Sequence, residues 1–275
     1  MTLAAVPPSS PQPTVPTVPG VPGVPGVRAT ARIRAIRAGD TTVLPTLVGD
    51  GPFDLRRARP HGSQARVCIL AAMSAPLGGD RLRIEATAEH GADLHITTAA
   101  ATIALRGPTT AHATYDVHLR LAEHARLHWL PHPLISAARS NLRQSCTIDL
   151  AATARLVLRE ETVLGRAGEG PGRLSTRLTV RRDGRPLLEQ QAMFGPGAPG
   201  WDGPAVLADH RAIGQILIVD PTLEHRPPHA RLFGDDPATG QAVLTPLAGP
   251  ALLITALAPD TLRLRRLLDA AHPIG

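Results

Sequence analysis

PLGGDRLRIEATAEHGADLHITT, residues 76–98, decides the reading of the fold. Gly78 and Gly79 permit backbone angles closed to other residues, and Asp80 can hydrogen-bond within its own turn. Beyond the turn, Leu82, Ile84 and Ala86 fall on one face and Arg81, Arg83 and Glu85 on the other. That is the period-2 alternation of a half-buried strand. Residues 89–93 then reverse the chain, and 94–98, ending in Thr97 and Thr98, run back. The spacing predicts a β-hairpin with one buried face, and an all-β frame built from such units.

The same design recurs. Residues 83–98, 115–130 and 145–158 are three strand-turn-strand units, each turning at a short Ala-centred reversal and returning on a Leu-rich strand. Stacked, they predict a large sandwich or a solenoid-like assembly of mainly antiparallel hairpins. Upstream, 28–37, 41–48, 53–59 and 64–71 read as short strands divided by Gly, Asp and Pro turns. Downstream, a Gly-rich connection at 165–172 leads to a hairpin of 174–181 and 186–192 closed by Asp183-Gly184, a strong hairpin signal. A loop at 195–204 holding Trp201, a strand at 213–219, a Pro-rich loop at 221–228 and a strand at 252–256 follow. Helical spacing appears only at 261–271, before Pro273. Asp260 or Thr261 is its N-cap, and Leu264, Leu267 and Leu268 its packing face. The uncharged Pro/Gly/Val-rich stretch 1–27 reads as an unfolded tail, and 28–275 as a single β domain with one short C-terminal helix.

A length of 275 residues and a hydrophobic fraction of 43% suffice for a substantial core, and with 2% aromatics that core must be aliphatic. All 29 basic residues are arginine, and against 23 acidic ones they leave a formal charge of +6. Such a balance raises nucleic acid as a partner. The arginines, however, are spread along strand faces, interleaved with acids, and lack aromatics for base stacking. Pairing with carboxylates, on this chain or a protein partner, is the simpler use of them. Cys68 and Cys146 are too few for a disulfide framework and sit in apolar or alternating patterns. No apolar run reaches the ~20 residues that span a bilayer, and no secretory signal pattern opens the chain. Both predict a cytoplasmic protein with no membrane partner.

Most catalytic signatures are missing. Without lysine there is no P-loop. Gly168, Gly170 and Gly172 lack the strand-to-helix context of a dinucleotide cradle. No G-x-S-x-G, H-E-x-x-H or C-x-x-C occurs. His128 and His132, four apart on a strand, would lie roughly 13 Å apart, too far to chelate one ion by themselves. Asp80 and Glu160 stand out among the acids. Each has two readings: turn chemistry for Asp80 and an Arg partner for Glu160, or internal carboxylates offering hard ligands to a passing cation.

Several motifs, in order, resemble the urease accessory protein UreD (UreH) family. They are Gly51-Pro52-Phe53, Leu77-Gly78-Gly79-Asp80, Gly91-Ala92 leading to Thr97-Thr98, and Leu127-His128-Trp129-Leu130-Pro131, then Leu164-Gly165-Arg166 and Asp183-Gly184-Arg185-Pro186-Leu187. The resemblance implies a β-stranded, non-enzymatic scaffold that binds UreF, through it the GTP-hydrolysing UreG, and apo-urease. It further implies nickel delivery along an internal passage whose acidic positions match Asp80 and Glu160, with nickel only transient and no tightly bound cofactor. A third glutamate of the family falls on Gln190, the aromatic segment after Thr98 is aromatic-free at 99–106, and His132-Pro133 replaces a polar pair. The rival reading is a basic β-sandwich module for an acidic protein or nucleic acid. A hydrolase with a site assembled from distant residues is a third.

Overall fold

The computed structural model describes residues 26–225 and 228–272. Among the described residues there are eighteen strands: β1 (Arg28–Ala38), β2 (Thr41–Val48), β3 (Phe53–His61), β4 (Gln64–Ala71), β5 (Arg81–Ala88), β6 (Asp93–Thr98), β7 (Thr102–Ala104), β8 (Ala113–Leu121) and β9 (Arg126–Leu130), then β10 (Leu134–Ser136), β11 (Asn141–Leu150), β12 (Arg155–Leu164), β13 (Arg173–Arg182), β14 (Arg185–Phe194), β15 (Ala212–Val219), β16 (Arg231–Phe233), β17 (Gln241–Pro246) and β18 (Ala251–Ala258). One α-helix, α1 (Thr261–Ala271), follows. The tail expected over 1–27 lies outside the described residues except for Gly26 and Val27. Those two join the fold: the Val27 carbonyl accepts from the Arg81 N–H at 2.8 Å.

The strands form two sheets, of seven in the order β14-β13-β11-β8-β5-β1-β2, and of eleven running β16-β17-β18-β15-β12-β9-β6-β4-β3 with β10 beside β12 and β7 beside β10. The expected hairpin of 83–98 is not one. β5 pairs in parallel with β1 and β8 in the first sheet, whereas β6 pairs in parallel with β4 and β9 in the second. β8–β9 and β11–β12 behave alike. Each Ala-centred reversal is therefore a corner between facing sheets. The sheets are mixed, nine parallel pairings against seven antiparallel, and not mainly antiparallel.

The physical reason for the difference is that alternation reports one buried face per strand, whether two strands lie side by side or face each other. The corners carry the distinction, because their backbone groups bond to neighbouring corners. The N–H of Glu89 donates to Ala35 O, that of Ala122 to Ala88 O, and that of Ala151 to Leu121 O, each at 2.9 Å. Ala88, Ala92, Ala125 and Ala154 are wholly buried there, leaving no room for a longer side chain. Leu82, Ile84, Leu119 and Ile148 from the first sheet meet Leu94, Ile96, Leu127 and Leu156 from the second in one continuous core. Each such Leu or Ile contributes about 2 kcal/mol by leaving water.

Where sequence pattern predicted true hairpins, as at Asp183-Gly184 between β13 and β14, antiparallel pairs are found. Asp183 and Gly184 both adopt positive φ, 51° and 71°, as a tight reversal requires. Helix α1 lies on the outside of the larger sheet, its first turn capped by the Asp260 carboxylate accepting from the Arg263 N–H at 2.9 Å. Leu264, Leu268 and Ala271 are buried and Leu267 packs partly. Gly214 makes the contact close: a Cβ there would lie 2.6 Å from Leu268 Cδ1.

Candidate functional site: a polar cavity between the sheets

Along β12 the inward positions run Leu156, Leu158 and then Glu160, so the alternation that builds the core carries a carboxylate into it. The register sets Gln215 of β15 directly beside Glu160. Gln215 Nε2 donates to Glu160 Oε2 at 2.7 Å. Gln190, on β14 of the opposite sheet, donates through Nε2 to Gln215 Oε1. A directed polar chain thus crosses between the sheets and ends on Glu160.

These groups line a cavity of about 290 Å³. Its walls are Tyr115, Trp129, Leu134 and Phe194 on the apolar side, and Thr98, Gln144, Thr162 and Thr176 on the polar side. Burial raises the Glu160 carboxyl above its ordinary range, and the Gln215 hydrogen bond partly offsets the shift. Burial, with Glu160 nearby, also pushes up the Cys146 thiol. Cys146, buried in the core, is therefore a neutral group and not a reactive thiolate.

A carboxyl whose folded pKa lies above its unfolded value holds a proton in the fold that the unfolded chain has lost. That contribution is full below the unfolded value and declines as pH rises through it. Glu160→Gln removes the penalty. Denaturation midpoints of parent and variant are expected to agree near pH 4 and to separate in favour of the variant by pH 8. Parallel curves over that range would show that burial of this carboxylate carries no cost.

Two further hollows adjoin. One of about 420 Å³ shares Thr98, Thr102 and Tyr115 with the central cavity. Another, of about 380 Å³ beside α1, shares Pro131, His132 and Glu161. Glu161 is one position further along β12 than Glu160 and its side chain is 2% exposed. Arg159 Nε lies 2.6 Å from one of its oxygens and Arg265 Nε 3.0 Å from the other. Arg159 also reaches Asp269 at 2.6 Å, and Arg265 Nη2 lies 3.1 Å from His132 Nδ1. The arginine partner expected for Glu160 thus belongs to its neighbour, and it ties α1 to the sheet.

The remaining expected residues divide by location. Thr98, Trp129 and Pro131 stand with Glu160 around the cavity, and Thr97 lines the hollow beside α1. Thr98 Oγ1 accepts from the His132 N–H and donates to Ala100 O, both at 2.9 Å, while Thr97 Oγ1 donates to Leu130 O. Asp80 is elsewhere. It is 3% exposed, its Oδ1 accepts from the Val27 N–H and its Oδ2 from the Leu77 N–H, each at 2.8 Å. Gly79 has φ 100°, and a Cβ on Gly78 would meet Ala111 O at 2.9 Å, so both glycines serve this turn. Gly165, at φ 82°, donates to Ser136 O at 2.9 Å, and the exposed Arg166 grips Glu169 at 2.8 and 3.0 Å. Gln215 escaped the sequence reading, although a glutamine within Ile213–Val219, otherwise glycine and aliphatic residues, was the signal for it. Among the described residues no group of three or more His, Cys, Asp or Glu side chains is placed to close around a metal, and no helix is long and apolar enough to cross a membrane.

Two mixed sheets stacked face to face, with a polar chain crossing between them, define a β-solenoid-like scaffold. The family model described as UreD urease accessory protein matches residues 27–274. The urease accessory protein UreD 2 of Saccharopolyspora erythraea is 66% identical over 243 residues, covering 88% of this chain and 86% of its own. UreD of Streptomyces coelicolor is 56% identical, covering 89% and 95%. UreD of a Parafrankia species is 37% identical, covering 88% of each. The chain belongs to the urease accessory protein UreD family, and its role lies in urease maturation.

Proposed function

We propose that this protein is a cytoplasmic scaffold, without bond chemistry of its own, that holds UreF, through it the GTPase UreG, and apo-urease, and passes nickel toward the apoenzyme. Nickel is cargo in this reading and no resident cofactor is needed. The observation that carries it is Glu160, a carboxylate brought between the sheets by the alternation of β12 and opening on a cavity that is walled jointly with two further hollows. A carboxylate, glutamine carbonyls and threonine hydroxyls are oxygen donors that a divalent cation can exchange one after another. Asp80, whose two oxygens each accept a backbone N–H, acts on this route by holding the turn. Gln190, where the resemblance implies a glutamate, keeps a place in the chain through its amide. Within the proposed route it orients Gln215 and leaves Glu160 as the charged group.

Co-expression with UreF, UreG and the urease subunits from the same source tests the assembly. A tagged chain is expected to recover all of them together. A folded chain that recovers none, yet binds generic duplex DNA in a salt-sensitive way, would instead establish the rival basic binding module.

A further inference from the structure

The outer face of the seven-stranded sheet carries a charge pattern that the interior site does not use. Up to the corner at Ala35, the buried positions Ala29, Ala31 and Ile33 turn the alternate residues of β1 outward, and the register carries that parity across the sheet. β1 supplies Arg28, Arg32 and Arg34, and β5 supplies Arg81 and Arg83. β8 and β11 add Arg120 and Arg143, and β13 adds Arg173, Arg177 and Arg181. Facing the same way are four carboxylates, Glu85, Asp116, Asp149 and Glu189. Ten arginines against four acids leave an excess of six. With Glu89, whose carboxylate pairs with Arg34 at 2.9 Å from the corner, the excess is five, most of the formal net charge of +6 of the whole chain.

We propose that this face is a docking surface for a carboxylate-rich protein surface. It rests on the reading that the chain works inside a protein assembly. Thr30, Thr87, Thr114, Thr147 and Ser175 fill most of the outward positions between the arginines. With such short neighbours, the guanidinium groups stand above a level surface. The existing ion pairs on it are exposed: Arg32 and Glu85 at 3.3 Å are 57% and 41% accessible. Pairs of that kind contribute about 0–1 kcal/mol and yield readily to other carboxylates. Arg120, Arg143 and Arg181 are exposed and make no ion pair among the described residues. Arg120 and Arg181 flank Asp149 on adjacent strands.

Those carboxylates decide the partner class. Asp116 and Asp149 sit on interior strands of the arginine array, β8 and β11, where a phosphate backbone laid across would meet like charge. Tyr115 points inward to the cavity, so His118 is the one ring that faces outward from β1, β5, β8, β11 and β13 and could serve for stacking. A protein surface can set carboxylates over the arginines and donors over the two aspartates, which a polyphosphate cannot.

The test uses the full chain, a fluorescein-labelled peptide of alternating Glu and Ser, and a labelled DNA duplex of similar length, read by anisotropy at low salt. Arg120→Glu, Arg143→Glu and Arg181→Glu combined are compared with Arg59→Glu, Arg126→Glu and Arg266→Glu, an equal charge change placed off this face. The first set is expected to weaken peptide binding about tenfold, the control set by less than about twofold. A milder Arg→Gln version of the first set guards against misfolding and should show the same order. In the co-expressed complex, only the first set should reduce recovery of partners. Equal loss from both sets, or tighter binding of the duplex than of the peptide through these arginines, would overturn the proposal. Peptide binding that follows the face in a chain that recovers no urease component would uphold the face and defeat the urease assembly.

Discussion

Asp80→Ala is expected to lower the stability of the fold by about 3 kcal/mol. The carboxylate holds two backbone donors, the N–H groups of Val27 and Leu77, each at 2.8 Å, from a position 3% exposed. Removing it leaves both without a partner, and a buried unsatisfied N–H costs about 1–3 kcal/mol. The entry of β1 and the Gly78-Gly79 turn are joined through this one side chain, so the loss falls on the first layer of the stack. Urea denaturation measures it. Asp80→Asn, which retains one acceptor oxygen, should lose about half as much. A change below about 0.5 kcal/mol for the alanine variant would mean that water reaches both donors. Any nickel defect in an Asp80 variant must therefore be read beside its stability.

Much of the architecture was legible because it rests on local chemistry. The boundaries of β1 to β4 fall where Gly39, Gly51 and Gly62 adopt positive φ, and the Asp260 cap and leucine face of α1 follow the expected spacing. The layout of β5, β6, β8, β9, β11 and β12 was not legible. Alternating Leu, Ile and Ala specify a buried face but not what it faces. Only the corner bonds, such as Ala122 N–H to Ala88 O, make the reversal a passage between sheets. The sequence signal for this is faint. It consists of alanine on both sides of each turn, where a side chain must fit inside a closed layer.

For the site, Glu160 could be singled out because the apolar alternation of β12 runs into an acid. Its environment could not. Gln215 and Gln190 come from strands 55 and 25 residues away in sequence, counted from Glu160 to Gln215 and from Gln190 to Gln215. Such pairings depend on sheet order and not on local pattern. The same holds for Glu161, whose partner Arg265 is 104 residues distant. In sequence Glu160 and Glu161 look alike. In the structure one faces a cavity and the other locks a helix.

The second large effect concerns that difference. Glu160→Gln keeps the volume and the hydrogen-bonding capacity at the end of the Gln190–Gln215 chain, but removes the one charge among these three groups. An amide oxygen is a far weaker partner for a divalent cation than a carboxylate, and loss of such a group costs on the order of tenfold in metal handling. The variant removes a charge-desolvation penalty, so it should fold at least as well as the parent at neutral pH and assemble equally. The measurement is nickel per active site in urease purified after co-expression with either chain, at limiting nickel, with recovery of the complex recorded from the same cells. The account predicts a fall of about tenfold in nickel with the complex undiminished. Full nickel loading in the presence of Glu160→Gln would contradict it.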